Sequence, residues 1–226
     1  IQPIQEIGQI VAAFRQSCSP AGGRGLLYLV DAAQTAGHVP LHVRDANIDL
    51  MCCSGHKGLL GPLGTGVAYL RRSCASQIRP LRQGGTGSQS ESLDQPQDPP
   101  DRFESGNPNA VGLVGLAAAI RWIEDRGLPT LQNRTQPLLE LLYEGLSANP
   151  RIRVVSPDPG RIANAGVISF VLDGLDPRVI ASILDGHFGI EVRAGLHGDH
   201  RRARRSEEHT SELQSLTNLV CRLLLE

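Results

Sequence analysis

The stretches Leu26-Leu-Tyr-Leu29-Val-Asp31-Ala-Ala-Gln34 and Ile48-Asp-Leu-Met-Cys-Cys-Ser54-Gly-His56-Lys57 decide how this chain folds. Each begins as a short apolar run of strand length, the mark of a strand buried on both faces, as in a parallel sheet. Each then ends abruptly in polar residues. A third apolar run, Val67 to Leu70, follows. In open α/β sheets ligands lie beyond the carboxyl ends of the strands. Asp31, Gln34, Ser54, His56 and Lys57 are therefore expected on one edge of a mostly parallel sheet. That edge would gather a carboxylate, an amide, a hydroxyl, an imidazole and an amine.

Outward from these strands the pattern changes to helical spacing. Ile4, Ile7, Ile10, Val11 and Phe14 predict an amphipathic helix ahead of them. Val111, Val114, Leu116, Ala119, Ile120 and Ile123 predict another over Asn109 to Asp125, and Leu128 to Leu146 a third. Val154-Val155 and Val167 to Leu172 read as strands, Pro177 to Leu184 as a helix, and Ile190 to Val192 as a last short strand. Strands alternating with helices mean α/β. Residues 84–108, rich in Gly, Ser, Gln, Asp and Pro, read as a long irregular loop, a kind that is usually functional or disordered. The shift in pattern near Arg126 to Pro129 marks the expected boundary into a smaller C-terminal domain.

Composition excludes several classes of function. The formal net charge is −1, which gives no polyanion-binding signal. Aromatics make up 4%, too few for a surface that stacks nucleobases. No apolar run approaches the ~20 residues that span a bilayer. The cysteines are Cys18, Cys52, Cys53, Cys74 and Cys221. They have no paired metal spacing, and the adjacent Cys52 and Cys53 are expected to pack as small hydrophobes. A cytoplasmic setting is the default for such thiols. His38 and His42 have a His-x-x-x-His spacing, but His38 precedes Val-Pro in a turn and no third ligand is near in sequence, so no metal site is expected. The glycine-rich turn Gly58-Leu-Leu-Gly61-Pro-Leu-Gly64-Thr-Gly66 allows close approach of backbone to a ligand. It is not a P-loop, because Val67 stands where the phosphate-binding lysine is required.

The blocks Leu29-Val-Asp31-Ala-Ala-Gln34-Thr-Ala-Gly37-His38-Val-Pro40, Ser54-Gly-His56-Lys57-Gly58, Gly84-Gly-Thr86-Gly87 and Glu104-Ser-Gly106-Asn-Pro-Asn109 resemble, in order and spacing, the class V aminotransferase and cysteine desulfurase family. These are pyridoxal 5'-phosphate (PLP) enzymes of fold type I. The segment Val192-Arg193-Ala-Gly195-Leu-His197 is similar to the one leading to the catalytic cysteine of the desulfurase branch. The resemblance implies that residues 1–126 are the C-terminal part of a PLP-binding large domain, a mostly parallel sheet with flanking helices. Residues 127–204 would be an incomplete small α/β domain. It implies Lys57 as the catalytic amine that holds PLP as a Schiff base, Asp31 at the pyridine nitrogen, Gln34 at the ring hydroxyl, and Ser54 and His56 at the phosphate. Thr86 would serve the phosphate of a neighbouring subunit's cofactor in a homodimer, and Arg193 the substrate carboxylate. The implied activity is that of a cysteine desulfurase or selenocysteine lyase, acting on cysteine or selenocysteine and possessing a sulfur-acceptor protein. Another class V activity, such as an aminotransferase, needs Lys57 but no cysteine.

Three departures from the family pattern stand out. The chain opens Ile-Gln-Pro-Ile, without the N-terminal part that in the family supplies a phosphate-binding turn and a histidine stacked on the cofactor ring, so a fragment that binds PLP poorly and is inactive as it stands is expected. The desulfurase cysteine would fall at position 198, which is Gly198, and Asn107 stands where the family often has Thr. Arg205-Ser-Glu-Glu-His-Thr-Ser-Glu-Leu-Gln-Ser215, continued by Leu219 to Glu226, reads as the translation of a sequencing-library adapter. Residues 205–226 are thus expected to form no domain and no packed element, and the basic run Arg201-Arg202-Ala-Arg204-Arg205 beside them no nucleic-acid site.

Overall fold

The computed structural model describes residues 1–17, 25–85, 88–89 and 91–195, together with the backbone of residues 211–213. The chain divides into two units, one of Gln2–Arg126 and one in which Gly127 onward is joined by Ile1.

In the first unit the two deciding stretches form neighbouring strands. β1 (Leu29–Asp31) pairs in parallel with β2 (Leu50–Ser54), with Leu29 opposite Leu50 and Asp31 opposite Cys52. The third run, β3 (Gly66–Leu70), pairs with β2 antiparallel. Mostly parallel pairing was the sequence expectation; the reversal has a simple cause. Residues 55–65 separate β2 from β3, fewer than the dozen or more that a parallel crossover needs. Val30, Ala32, Ala36, Ala46 and Ile48 form the buried core of this unit. Helix α1 (Ile4–Ser17) packs on it through Gly8, where a Cβ would stand 1.9 Å from the Ala46 carbonyl oxygen. Its predicted apolar face is only partly used: Ile10 and Phe14 remain exposed. Cys52 is exposed as well, against expectation, because it lies on the same face as Leu29 and Asp31, which are exposed too.

A buried carboxylate anchors the opposite end of these strands. Asp49, 1% exposed, accepts from the backbone N–H of Tyr28 at 2.8 Å. It also pairs with Arg15 of α1 and, at 3.3 Å, with Arg71 just past β3. Arg15 and Arg71 donate further to the carbonyls of Leu26 and Ile48. The thiol of Cys74, in a short 3-10 helix over Arg72–Gln77, lies 3.7 Å from the same carboxylate.

The chain from residue 78 to 109 contains neither helix nor strand among its described residues. It is nonetheless tied together by side chains. Buried Gln95 accepts from the N–H of Gly84 and donates to the carbonyl of Asp101, while Arg102 donates to Gln97 and to the carbonyl of Ile78. Helix α2 (Ala110–Arg126) then starts on Asn109, whose Oδ1 accepts from the N–H of Gly112 at 3.0 Å.

The second unit holds α3 (Leu128–Ser147), β4 (Ile152–Val154), β5 (Ile168–Leu172), α4 (Pro177–Phe188), β6 (Arg193–Ala194) and β7 (Ser211–Leu213). Its antiparallel sheet runs β4-β5-β7-β6. Leu139 of α3 and Ile180 of α4 are buried with Ile168 and Phe170 of β5. Asp176 caps α4 by accepting from the N–H of Arg178, Pro177 takes its first turn, and Gly189 closes it in the left-handed conformation. The last short strand lies at Arg193–Ala194 rather than Ile190 to Val192. Beyond residue 204 the backbone of β7 pairs with β5 and β6, where no packed element was expected. An open strand edge presents backbone donors and acceptors that any extended segment satisfies, whatever its sequence.

Candidate active site

Parallel pairing of β1 and β2 sends both polar clusters off the same edge of the sheet. The pairing continues one residue past β1, where the N–H of Ala32 donates to the carbonyl of Cys52 at 2.8 Å. Asp31 ends β1 and is exposed; its Oδ1 accepts from the N–H of Ala33 at 2.9 Å. Its Oδ2 has no protein partner among the described residues. Gln34 is exposed on the turn that follows, closed by donation from Ala36 to the Ala32 carbonyl.

Ser54 ends β2 half-buried, and residues 55–59 turn sharply away. His56 is exposed and Lys57 half-buried on this turn. Lys57 is the sole lysine of the sequence. Three backbone hydrogen bonds close the turn: Gly55 to Thr65, Gly61 to Gly55, and Leu60 to Lys57, donor first, at 2.7–2.9 Å. Leu60 sits at φ 58°, a left-handed conformation that costs a non-glycine residue on the order of 1–3 kcal/mol. Such a conformation persists only where its surroundings hold it.

The two turns touch through glycine. Gly37, at φ 84°, lies so close to the Lys57 turn that a Cβ there would stand 2.0 Å from the Gly58 carbonyl oxygen. A Cβ on Gly58 would stand 2.3 Å from the Ala36 carbonyl oxygen. Neither position tolerates a side chain without movement of backbone. The glycine-rich segment past Gly58 rests on α2: Gly61 meets Leu116, and Gly115 meets Pro62. Thr65 donates its hydroxyl to the carbonyl of Pro62 at 2.6 Å. Thr65, which ties this segment, and Asn109, which caps α2, lie in stretches that the sequence singles out, but the sequence assigns neither a role.

The parallel pairing therefore places Asp31, Gln34, Ser54, His56 and Lys57 beyond the same edge of the sheet. Arg193 lies exposed on β6 of the second unit. Thr86 and position 198 fall outside the described residues. Burial lowers the pKa of His38, which follows Gly37, and raises that of the Cys53 thiol, whose Sγ donates to the Val67 carbonyl at 3.6 Å. Among the described residues no group of three His, Cys, Asp or Glu gathers to hold a metal ion, and no helix is long and apolar enough to cross a membrane.

Known proteins resemble this chain in sequence and in fold. A probable cysteine desulfurase of Pyrococcus abyssi is 34% identical over 200 residues, covering 87% of this chain and 46% of the relative. The structure of a cysteine desulfurase from Thermococcus onnurineus superposes with a TM-score of 0.80 at 35% identity, over 93% of this chain and 50% of that one. The C-DES structure with glycine covalently linked to its PLP cofactor superposes with a TM-score of 0.71 over 99% of this chain and 56% of that one; at 23% identity it is a likeness of fold. The chain thus spans about half the length of the proteins it matches. The sequence model of class V aminotransferases matches residues 2–217, and the chain belongs to that family.

Proposed function

We propose that the protein this chain represents is a cytoplasmic PLP-dependent cysteine desulfurase or selenocysteine lyase, with Lys57 as its reactive amine. The observation that carries the reading is the meeting of the two turns on one sheet edge, where Gly37 and Gly58 bring the Asp31 segment against the Lys57 segment. The donor set fits the cofactor. Lys57 offers the amine that a cofactor aldehyde requires, and its Nζ then takes and returns the proton of the substrate carbon. Asp31 has a carboxylate oxygen left over after its own turn is closed, suited to hold a proton on a pyridine nitrogen. Gln34 is placed for a ring hydroxyl, and Ser54 and His56 for phosphate oxygens, with Thr86 assigned to the phosphate of a partner subunit in a homodimer. Arg193 supplies a planar fork for a substrate carboxylate. When bound, PLP supplies the electron sink that makes loss of a group from the amino acid feasible. A sulfur-acceptor protein completes the assignment.

Gly198 favours one second reading, an aminotransferase-type activity that uses Lys57 without a cysteine nucleophile. A glycine carries no thiolate to attack sulfur. We further assign residues 205–226 no functional role.

Titration of the chain with PLP, followed by visible absorbance, tests the reading. Charge-assisted hydrogen bonds are worth roughly 1.5–3 kcal/mol each. For the 226-residue chain, saturation is expected only at large excess of PLP, and the band should vanish in Lys57→Ala. A band that survives Lys57→Ala would overturn the assignment of the amine. Saturation at stoichiometric PLP would show that the residues present suffice for the phosphate.

A further inference from the structure

The chemistry above makes no use of His38, yet its ring lies against the turn that carries Lys57. A Cβ on Gly58 would stand 2.6 Å from His38 Cδ2 and 2.8 Å from His38 Nε2. The same Cβ would meet the Ala36 carbonyl oxygen at 2.3 Å. The α-carbon that directly follows Lys57 is thus gripped between a carbonyl and an imidazole. One residue away, a Cβ on Gly37 would lie 2.0 Å from the Gly58 carbonyl oxygen and 2.8 Å from the Leu59 amide nitrogen. Residues 36–38 together seat the Gly58–Leu59 peptide. The same short segment begins at Asp31, whose carboxylate closes its first turn. The two turns are thus in contact, and His38 is the side chain that this contact sets against Gly58.

We propose that His38 is a positioning residue for Lys57: its ring walls the seat of the Gly58–Leu59 peptide and so sets where the amine stands relative to Asp31. The proposal rests on Lys57 being the reactive amine. Burial lowers the pKa of His38, which favours the uncharged ring. A histidine that merely filled space would matter to overall stability and leave the lysine's behaviour unchanged in a folded chain.

The sole lysine makes the test specific. An amine-labelling reagent modifies Lys57 and the N-terminus, and peptide masses separate the two. The full chain is compared with His38→Ala and with His38→Phe, which keeps a flat ring against Gly58. Hydrogen exchange is read at the amides of Leu60 and Gly61, which close the Lys57 turn, with the β-ladder amides of β2 as the internal standard. His38→Ala is expected to speed exchange at Leu60 and Gly61 by about tenfold while the β2 amides hold, as local opening predicts. The labelling rate of Lys57 should shift by about threefold or more in the same variant, through the same local opening. His38→Phe should return both readouts towards the parent chain. Should His38→Ala also loosen the β2 amides, His38→Asn takes its place with the same expectations. The proposal is overturned if Lys57 labelling and turn exchange stay at parent values in a variant with an intact sheet, or if His38→Phe behaves like His38→Ala. Neither readout involves a cofactor. A chain that meets these expectations yet gives no Lys57-dependent band with PLP would sink the functional reading and leave the positioning role standing.

Discussion

Two aspartates flank the same parallel pair of strands and live in opposite worlds. Asp49 enters β2, is buried, and is saturated by two guanidinium groups and a backbone N–H. Asp31 leaves β1, is exposed, and engages one neighbouring N–H through one oxygen. A carboxylate whose acceptor capacity is filled by the protein does structural work and is closed to a ligand. One with an oxygen to spare is open to chemistry. The sheet therefore has one end whose carboxylate is fully engaged by the protein and one whose carboxylate engages a single neighbouring N–H.

Substitutions at the two aspartates separate these ends most sharply. Removing one partner of a buried ion pair costs about 3–5 kcal/mol, since the remaining charge is left uncompensated. Asp49→Ala is expected to lose about that much in urea unfolding, and it strands Arg15 and Arg71 together. Asp31→Asn should stay within about 0.5 kcal/mol of the parent, as exposed substitutions do, and should instead weaken PLP absorbance. Equal destabilisation by the two would erase the contrast.

A smaller effect distinguishes the ends by pH. His38 has its folded pKa lowered by burial from the ordinary 6.5. Above that value the imidazole is neutral in both states and contributes nothing to the slope. As pH falls below it, the unfolded chain takes up a proton that the folded chain refuses, so stability drops until the folded pKa is reached. One proton gives at most about 1.4 kcal/mol per pH unit. His38→Phe should flatten the urea-unfolding slope between pH 6.5 and the depressed value; an unchanged slope would mean that other groups set it.

The architecture at the Lys57 end was legible because a strand that stops at a polar residue leaves a plain mark in sequence. The parallel pairing of β1 and β2, which puts both polar clusters beyond one edge, agrees with that mark. The anchoring end was not legible. Nothing near Asp49 announces that Arg15, far away in α1, and Arg71, past β3, would converge on it, because such pairing is a tertiary fact without a local period. Likewise His38 reads as a turn residue, and only the glycine at position 58 shows what its ring leans on. Cys52 misled for the opposite reason: an apolar run signals burial on both faces, whereas Leu29 and Cys52 share an exposed face.

The smallest expected effect concerns the tail. Deleting residues 205–226 removes β7 from the second sheet, yet the rate of amine labelling at Lys57 should be unchanged, because the turns that hold it belong to residues 31–65. A change in that rate would tie the tail to the Lys57 turn and end its assignment as functionless.

The closed turn around Lys57 also makes the chain its own gauge of wear. A lysine-specific protease has a single place to cut, and that place is the Lys57 turn. Cleavage needs the turn to open, so the lifetime of the intact chain under such a protease measures how often Leu60 abandons its left-handed conformation and the Leu60–Lys57 bond breaks. Any molecule that seats on the amine should lengthen that lifetime, turning a stability contest into a clock for occupancy.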